Sequence, residues 1–122
     1  MNLLIAAIDA AHPHHLQASH ALQSGKMAAT ASVAWAEFRS KPVPPVRLLA
    51  LSAMFGAGIL PFAKAEAELA AQLFQLTSVK RAQRLDTMIA VTVILAGAEL
   101  ATVNTSDFSA FVPYGLKLLP LP

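Results

Sequence analysis

The 122-residue sequence contains no cysteine. A disulfide framework, a thiolate zinc site, an iron–sulfur cluster and a cysteine nucleophile are therefore excluded, and the absence is compatible with a reducing cytoplasm. Charge is also scarce. Asp, Glu, Lys and Arg make up 13% of the chain, about half the usual share, against 56% hydrophobic residues. Such a chain is too apolar for disorder and has enough apolar surface to build a full core. Nine basic residues oppose seven acidic ones, a net charge of +2, and no long basic run is present. Basicity alone thus gives no nucleic-acid signal. Long hydrophobic runs are missing too, although the mean hydropathy is positive. The longest uncharged apolar stretch, Leu48 to Ala63, has sixteen residues and is broken by Ser52, Gly56, Gly58 and Pro61. A membrane span needs roughly 20 apolar residues without such breaks. Leu3 to Ile8 has no positive segment before it and is followed by Asp9 and His12, which does not match a signal peptide. Composition predicts one soluble domain with a well-filled interior and no membrane association.

Short apolar runs alternate with helical patterns along the chain. Leu3 to Ala10 is apolar and ends at Ala11-His12-Pro13, where the proline favours a turn. His14 to Gln23 reads as an amphipathic helix with Leu16, His20 and Gln23 on one side, stopped by Ser24-Gly25. Met27 to Ala31 reads as a short strand, and Ser32 as the cap of a helix through Phe38. Pro45 fits the first position of the next helix, which Gly56 and Gly58 close before a strand at Ile59 to Phe62. Leu69, Leu73 and Leu76 give Glu66 to Leu76 helical spacing. After the basic segment Lys80, Arg81 and Arg84, Asp86 opens the most apolar helix, Thr87 to Ala96. Strands are expected at Leu100 to Val103 and Leu116 to Leu119, with a short helical turn starting at Asp107. The alternation predicts βαβ units, hence an α/β domain: a three-layer α/β/α sandwich on a mostly parallel sheet buried on both faces.

The placement of the few acids is informative. Asp9, Glu66 and Glu68 lie at helix ends or on exposed faces, and Glu99 sits in the turn before a strand. A helix from Asp86 to Gly97 rises about 18 Å, and a strand ending near Val103 returns roughly 16 Å. Asn104 is therefore expected beside Asp86, at the carboxyl edge of the sheet where open α/β folds bind ligands. Asp107 lies within reach of that edge, and so does Glu37, between Trp35-Ala36 and Phe38 on the helix after the second strand. Carboxylates clustered with an amide oxygen are hard ligands suited to Mg²⁺ or Mn²⁺. Each residue also has a plainer reading: Asp86 as a helix N-cap, Asp107 as a cap or turn former, Glu37 as the partner of Lys41 one turn on.

Leu85-Asp86-Thr87-Met88-Ile89-Ala90, followed by Gly97-Ala98-Glu99-Leu100-Ala101-Thr102-Val103-Asn104-Thr105-Ser106-Asp107-Phe108, resembles the carboxyl-terminal signature of PIN domains, in particular VapC-type toxins of toxin–antitoxin pairs. Ser32 to Glu37 is similar to the family's Ser–x–x–x–x–Glu helix. Asn2 to Ala6 and His12-Pro13-His14-His15 are similar to its first helix and turn. The resemblance runs through essentially the whole chain. It implies a cytoplasmic endoribonuclease dependent on Mg²⁺ or Mn²⁺, acting on RNA through metal-activated water, homodimeric and neutralised by a cognate antitoxin. By position, Glu37, Asp86 and Asp107 become the catalytic acids and, with Asn104, the metal site, while Arg81 and Arg84 meet RNA phosphates.

One departure accompanies the resemblance. The family begins with a strand ending Asp–x–Asn, whose Asp is a principal metal ligand. Here Asn2 matches that Asn and Met1 the middle position, so the Asp and the strand would precede the first residue. A truncated PIN-like domain spanning 1–122 is the expectation, with a degenerate domain as the alternative. The competing function is a PIN-like module that binds RNA or a protein without catalysis. The remaining motifs point elsewhere only weakly: His12, His14, His15 and His20 lack a carboxylate to complete a metal site. Thr102, Thr105 and Ser106 lack a base, and Gly56-Ala57-Gly58 lacks phosphate-loop spacing.

Overall fold

A computed structural model describes residues 3–24, 29–56, 58–119 and 121. Six α-helices and four short strands appear among them: α1 Leu3–Ile8, α2 His15–Gln23, β1 Thr30–Ala31, α3 Ser32–Arg39, α4 Pro45–Phe55, β2 Ile59–Leu60, α5 Lys64–Thr77, α6 Arg84–Leu95, β3 Glu99–Ala101 and β4 Lys117–Leu119. Turns of 3₁₀ helix lie at Arg81–Gln83, Thr105–Asp107 and Ser109–Tyr114. The mixed helix–strand class with parallel pairing agrees with the sequence expectation. The pairing itself is more divided than expected: β1 pairs only with β2 (Thr30 opposite Ile59, Ala31 opposite Leu60), and β3 only with β4 (Glu99 opposite Lys117, Ala101 opposite Leu119). Among the described residues there are thus two two-stranded parallel sheets.

Local chemistry explains most element boundaries. Pro45 opens α4, where its missing N–H and fixed φ are harmless. Glu66 reaches back to accept the Ala63 N–H at 2.7 Å, satisfying a donor at the start of α5. At the end of α6 the Ala98 N–H donates to Val93 and the Gly97 N–H to Ile94. Gly97 lies at φ +66. This is the paired bonding of a Schellman terminus, and it needs the left-handed residue that glycine supplies without strain. It turns the chain at once into β3.

Several boundaries differ from those expected. Ser32 is the first helical residue of α3, and Ala31 holds the cap position with no side-chain bond. The third strand begins at Glu99 and ends at Ala101, so Glu99 belongs to the strand and Thr102 and Val103 to the following loop. Met27, Ala28 and Gly25 lie outside the described residues. In α2 the buried face is Ala18, Ala21 and Leu22, while Leu16 is 83% exposed. The reason is that α2 packs on α1 through small residues, which excludes the bulkier side of the helix.

The core divides in two. One part joins α1 and α2 to Phe38, Leu51 and Phe55, with the Trp35 ring tilted against Phe38 at 5.3 Å and edge-on to Phe55 at 6.1 Å. The other surrounds α6: Ile89, Ala90, Val91 and Val93 pack with Leu73, Phe108 and Phe111. Burial of α6 also takes in Thr87 and Thr92. Their hydroxyls donate to the carbonyls of Gln83 (3.3 Å) and Met88 (2.8 Å), so these polar groups enter the core without losing a partner.

Candidate functional site

The amino end of α6 carries the central acid. The helix starts at Arg84, with Gln83 in the cap position and no side-chain cap. Asp86 is therefore the third helical residue rather than the cap, so the N-cap reading is excluded. Its carboxyl is half-buried, and its pKa is raised above the ordinary value near 3.8. Burial is the largest cause, and the negative charges of Asp107 and Glu37 add to it, while the amino-terminal charge of the chain acts in the opposite sense. A carboxylate displaced from water beside two others resists ionisation. The structure thus brings Asp107 and Glu37 each within electrostatic reach of Asp86, although the three come from separate segments.

The loop after β3 positions the other groups. The Asn104 N–H donates to Thr102 Oγ1 at 3.1 Å, fixing the chain as it leaves the strand. Asn104 Nδ2 then donates to Asp107 Oδ2 at 2.8 Å, and Ser106 Oγ donates to Asn104 Oδ1 at 2.8 Å. Asn104 is thereby a bridge inside the loop, with both ends of its amide engaged, and it orients the Asp107 carboxylate. Thr102 and Ser106, considered in the sequence only as nucleophiles, act as supports. The signal for that role was their spacing around Asn104, which suits side-chain to backbone bonds in turns.

Glu37 sits half-buried in the second half of α3, near enough to Asp86 to affect its ionisation. No three His, Cys, Asp or Glu side chains among the described residues converge as a ready metal cage. Mg²⁺ is usually held by one or two carboxylates and several waters, a smaller donor set than a three-residue cage. Arg81 and Arg84 are both exposed, at the 3₁₀ turn and first residue that lead into the same end of α6. The Arg84 guanidinium lies 5.1 Å from the centre of the Phe74 ring, so its stem is steadied against α5 by a cation–π contact.

The histidines have local structural roles. His15 Nδ1 lies 3.0 Å from the Ala6 carbonyl, tying α2 to α1, and His12 Nδ1 accepts the His14 N–H at 3.0 Å. A cavity of ≈ 490 Å³ that sequence reasoning missed lies between the two sheets, with Ala31, Ala101, Thr102 and Phe108 in its lining. Nothing local in the sequence marks it, because its walls come from strands nearly 70 residues apart. No helix among the described residues is long and apolar enough to cross a membrane. Compared with known proteins, the chain matches no family model and no curated protein.

Proposed function

We propose that this chain is a PIN-like α/β domain, its two short parallel sheets belonging to one three-layer sandwich, and that it acts as a divalent-metal-dependent endoribonuclease of a toxin–antitoxin system. The observation that carries this reading is the electrostatic state of Asp86. A half-buried carboxylate pressed by Asp107 and Glu37 concentrates negative charge, and a divalent cation relieves that repulsion. Bound there, Mg²⁺ or Mn²⁺ would supply Lewis-acid activation of a phosphodiester and of the attacking water. Asp86, Asp107 and Glu37 would hold it. Asn104 keeps Asp107 oriented through its 2.8 Å bond, and Arg81 and Arg84 meet the phosphate backbone, where cations give affinity without reading sequence. A cytoplasmic location, a homodimer and a neutralising antitoxin belong to the same proposal.

A second reading, a module that binds RNA or a protein without cleaving it, is favoured by two observations. Among the described residues no three acids converge as a cage, and the amide of Asn104, where an acid would add a ligand, is occupied by Asp107 and Ser106. The test is cleavage of a structured RNA with Mn²⁺, beside calorimetric titration of Mn²⁺ alone. Cleavage and cation binding that both disappear in Asp86→Asn support the nuclease. Cation-independent RNA binding with no cleavage leaves the binding module standing in its place.

A further inference from the structure

Arg84 is the first residue of α6 and Asp86 the third, about 3 Å apart along the axis at 1.5 Å per residue. The Arg84 guanidinium lies over the Phe74 ring of α5, 5.1 Å from its centre. Phe74 is half-buried against the core around α6, whereas Arg84 is exposed. The guanidinium is thus backed by a ring on one side and open to solvent on the other. Contact with a phosphate asks only for a mobile charge, which Lys80, exposed on the same approach to α6, already supplies. An arginine seated on a ring offers more, because its planar, weakly hydrated cation is held in place before any ligand arrives. Leu85, the residue between Arg84 and Asp86, is 46% exposed and adds apolar surface at the same end.

Resting on the RNA reading of this end of α6, we propose that Arg84 and Phe74 form a stacking platform for one unpaired base of the bound strand. The base lies on the open side of the guanidinium and completes a three-layer stack. The N–H groups at the guanidinium edge stay available to a phosphate, so one side chain meets both parts of a nucleotide. Every base has a π-face, so the platform accepts any sequence. It requires that the base be unstacked from its own neighbours.

The test is anisotropy of a labelled adenosine hexanucleotide on the whole chain, in EDTA, beside an abasic ribose-phosphate strand of equal length. The adenosine strand is expected to bind at least about fivefold tighter, the lower end of what one stacked base contributes. Arg84→Lys keeps the charge and loses the planar face, so the two strands then bind alike while the salt slope of the wild type is retained. Phe74→Leu, which unseats the guanidinium, also lowers the preference. Equal binding of the two strands by the wild type, or a preference kept in full by either variant, overturns the platform and leaves the nuclease reading standing. Adenosine monophosphate that competes as strongly as the hexanucleotide assigns the platform to a free nucleotide and overturns the strand assignment. A base preference that behaves as expected, with no Mn²⁺-dependent cleavage, supports the platform and overturns the nuclease reading alone.

Discussion

Helices α4 and α6 are nearly interchangeable as sequences and opposite as structures. Pro45–Phe55 reads PVRLLALSAMF and Arg84–Leu95 reads RLDTMIAVTVIL, both apolar and neither clearly two-faced. Yet α6 buries six residues from Thr87 to Val93, while α4 buries only Leu51 and Phe55 and leaves Val46 80% and Leu49 73% exposed. The difference is position. α6 lies against α3, α5, β1 and β3, so every side of it finds an apolar neighbour. α4 enters the core through Leu51 and Phe55, the latter edge-on to Trp35. Apolarity is thus necessary for burial but does not choose which helix receives it.

The sharpest test of this contrast is stability. Ile89→Ala on α6 is expected to lower unfolding free energy by about 2–5 kcal/mol, since its side chain leaves a cavity among packed neighbours. Chemical denaturation measures the loss, and a change under about 1 kcal/mol would mean that α6 is not the central helix.

The amino end of α6 carries a half-buried acid, an asymmetry that α4 lacks. Asp86→Asn is expected to reduce cation-dependent RNA cleavage by at least about 100-fold, the upper range for residues that only support metal ligands. The same variant is expected to raise thermal stability at neutral pH. A raised native pKa means that the folded chain holds its proton more tightly than the unfolded chain. Stability attributable to Asp86 therefore falls as pH rises from the ordinary carboxylate value near 3.8 through the raised value, and stays lower above it. Melting curves should show Asp86→Asn exceeding the wild type above this window and matching it below. A variant less stable than the wild type at pH 7 would contradict the strained carboxylate. Added Mn²⁺ should raise the wild-type midpoint and leave that of the variant unmoved.

A smaller effect is expected at Arg81 and Arg84. Replacing both with alanine should lower the slope of RNA affinity against salt by about one to one and a half logarithmic units. An unchanged slope places the RNA elsewhere. Smallest of all, Leu49→Ala on the open face of α4 should alter stability by no more than about 0.5 kcal/mol. A loss as large as that of Ile89→Ala would erase the contrast between the two helices.

Much of the candidate site was legible in the sequence because a helix and the strand after it nearly cancel in length. That return brings Asp107, whose charge acts on Asp86, toward the start of α6, and Asn104 is tied to Asp107 by a hydrogen bond. The amide bridge from Asn104 to Asp107 was not legible, since a free ligand and a locked one have the same sequence. Nor was the exposure of Leu16, which depends on α1 offering α2 a surface shaped for alanine.

By itself, the sequence determined some helix ends, through interactions that span only a few residues: Pro45 at a first position, Glu66 folding back to Ala63, Gly97 in a left-handed turn. It also determined that the strands pair in parallel, because helices intervene between paired strands. Only the tertiary structure decided that the four strands among the described residues form two ladders with a cavity between them, and that α6 and not α4 is enclosed. Those outcomes depend on surfaces brought together from distant parts of the chain, and no local preference contains them.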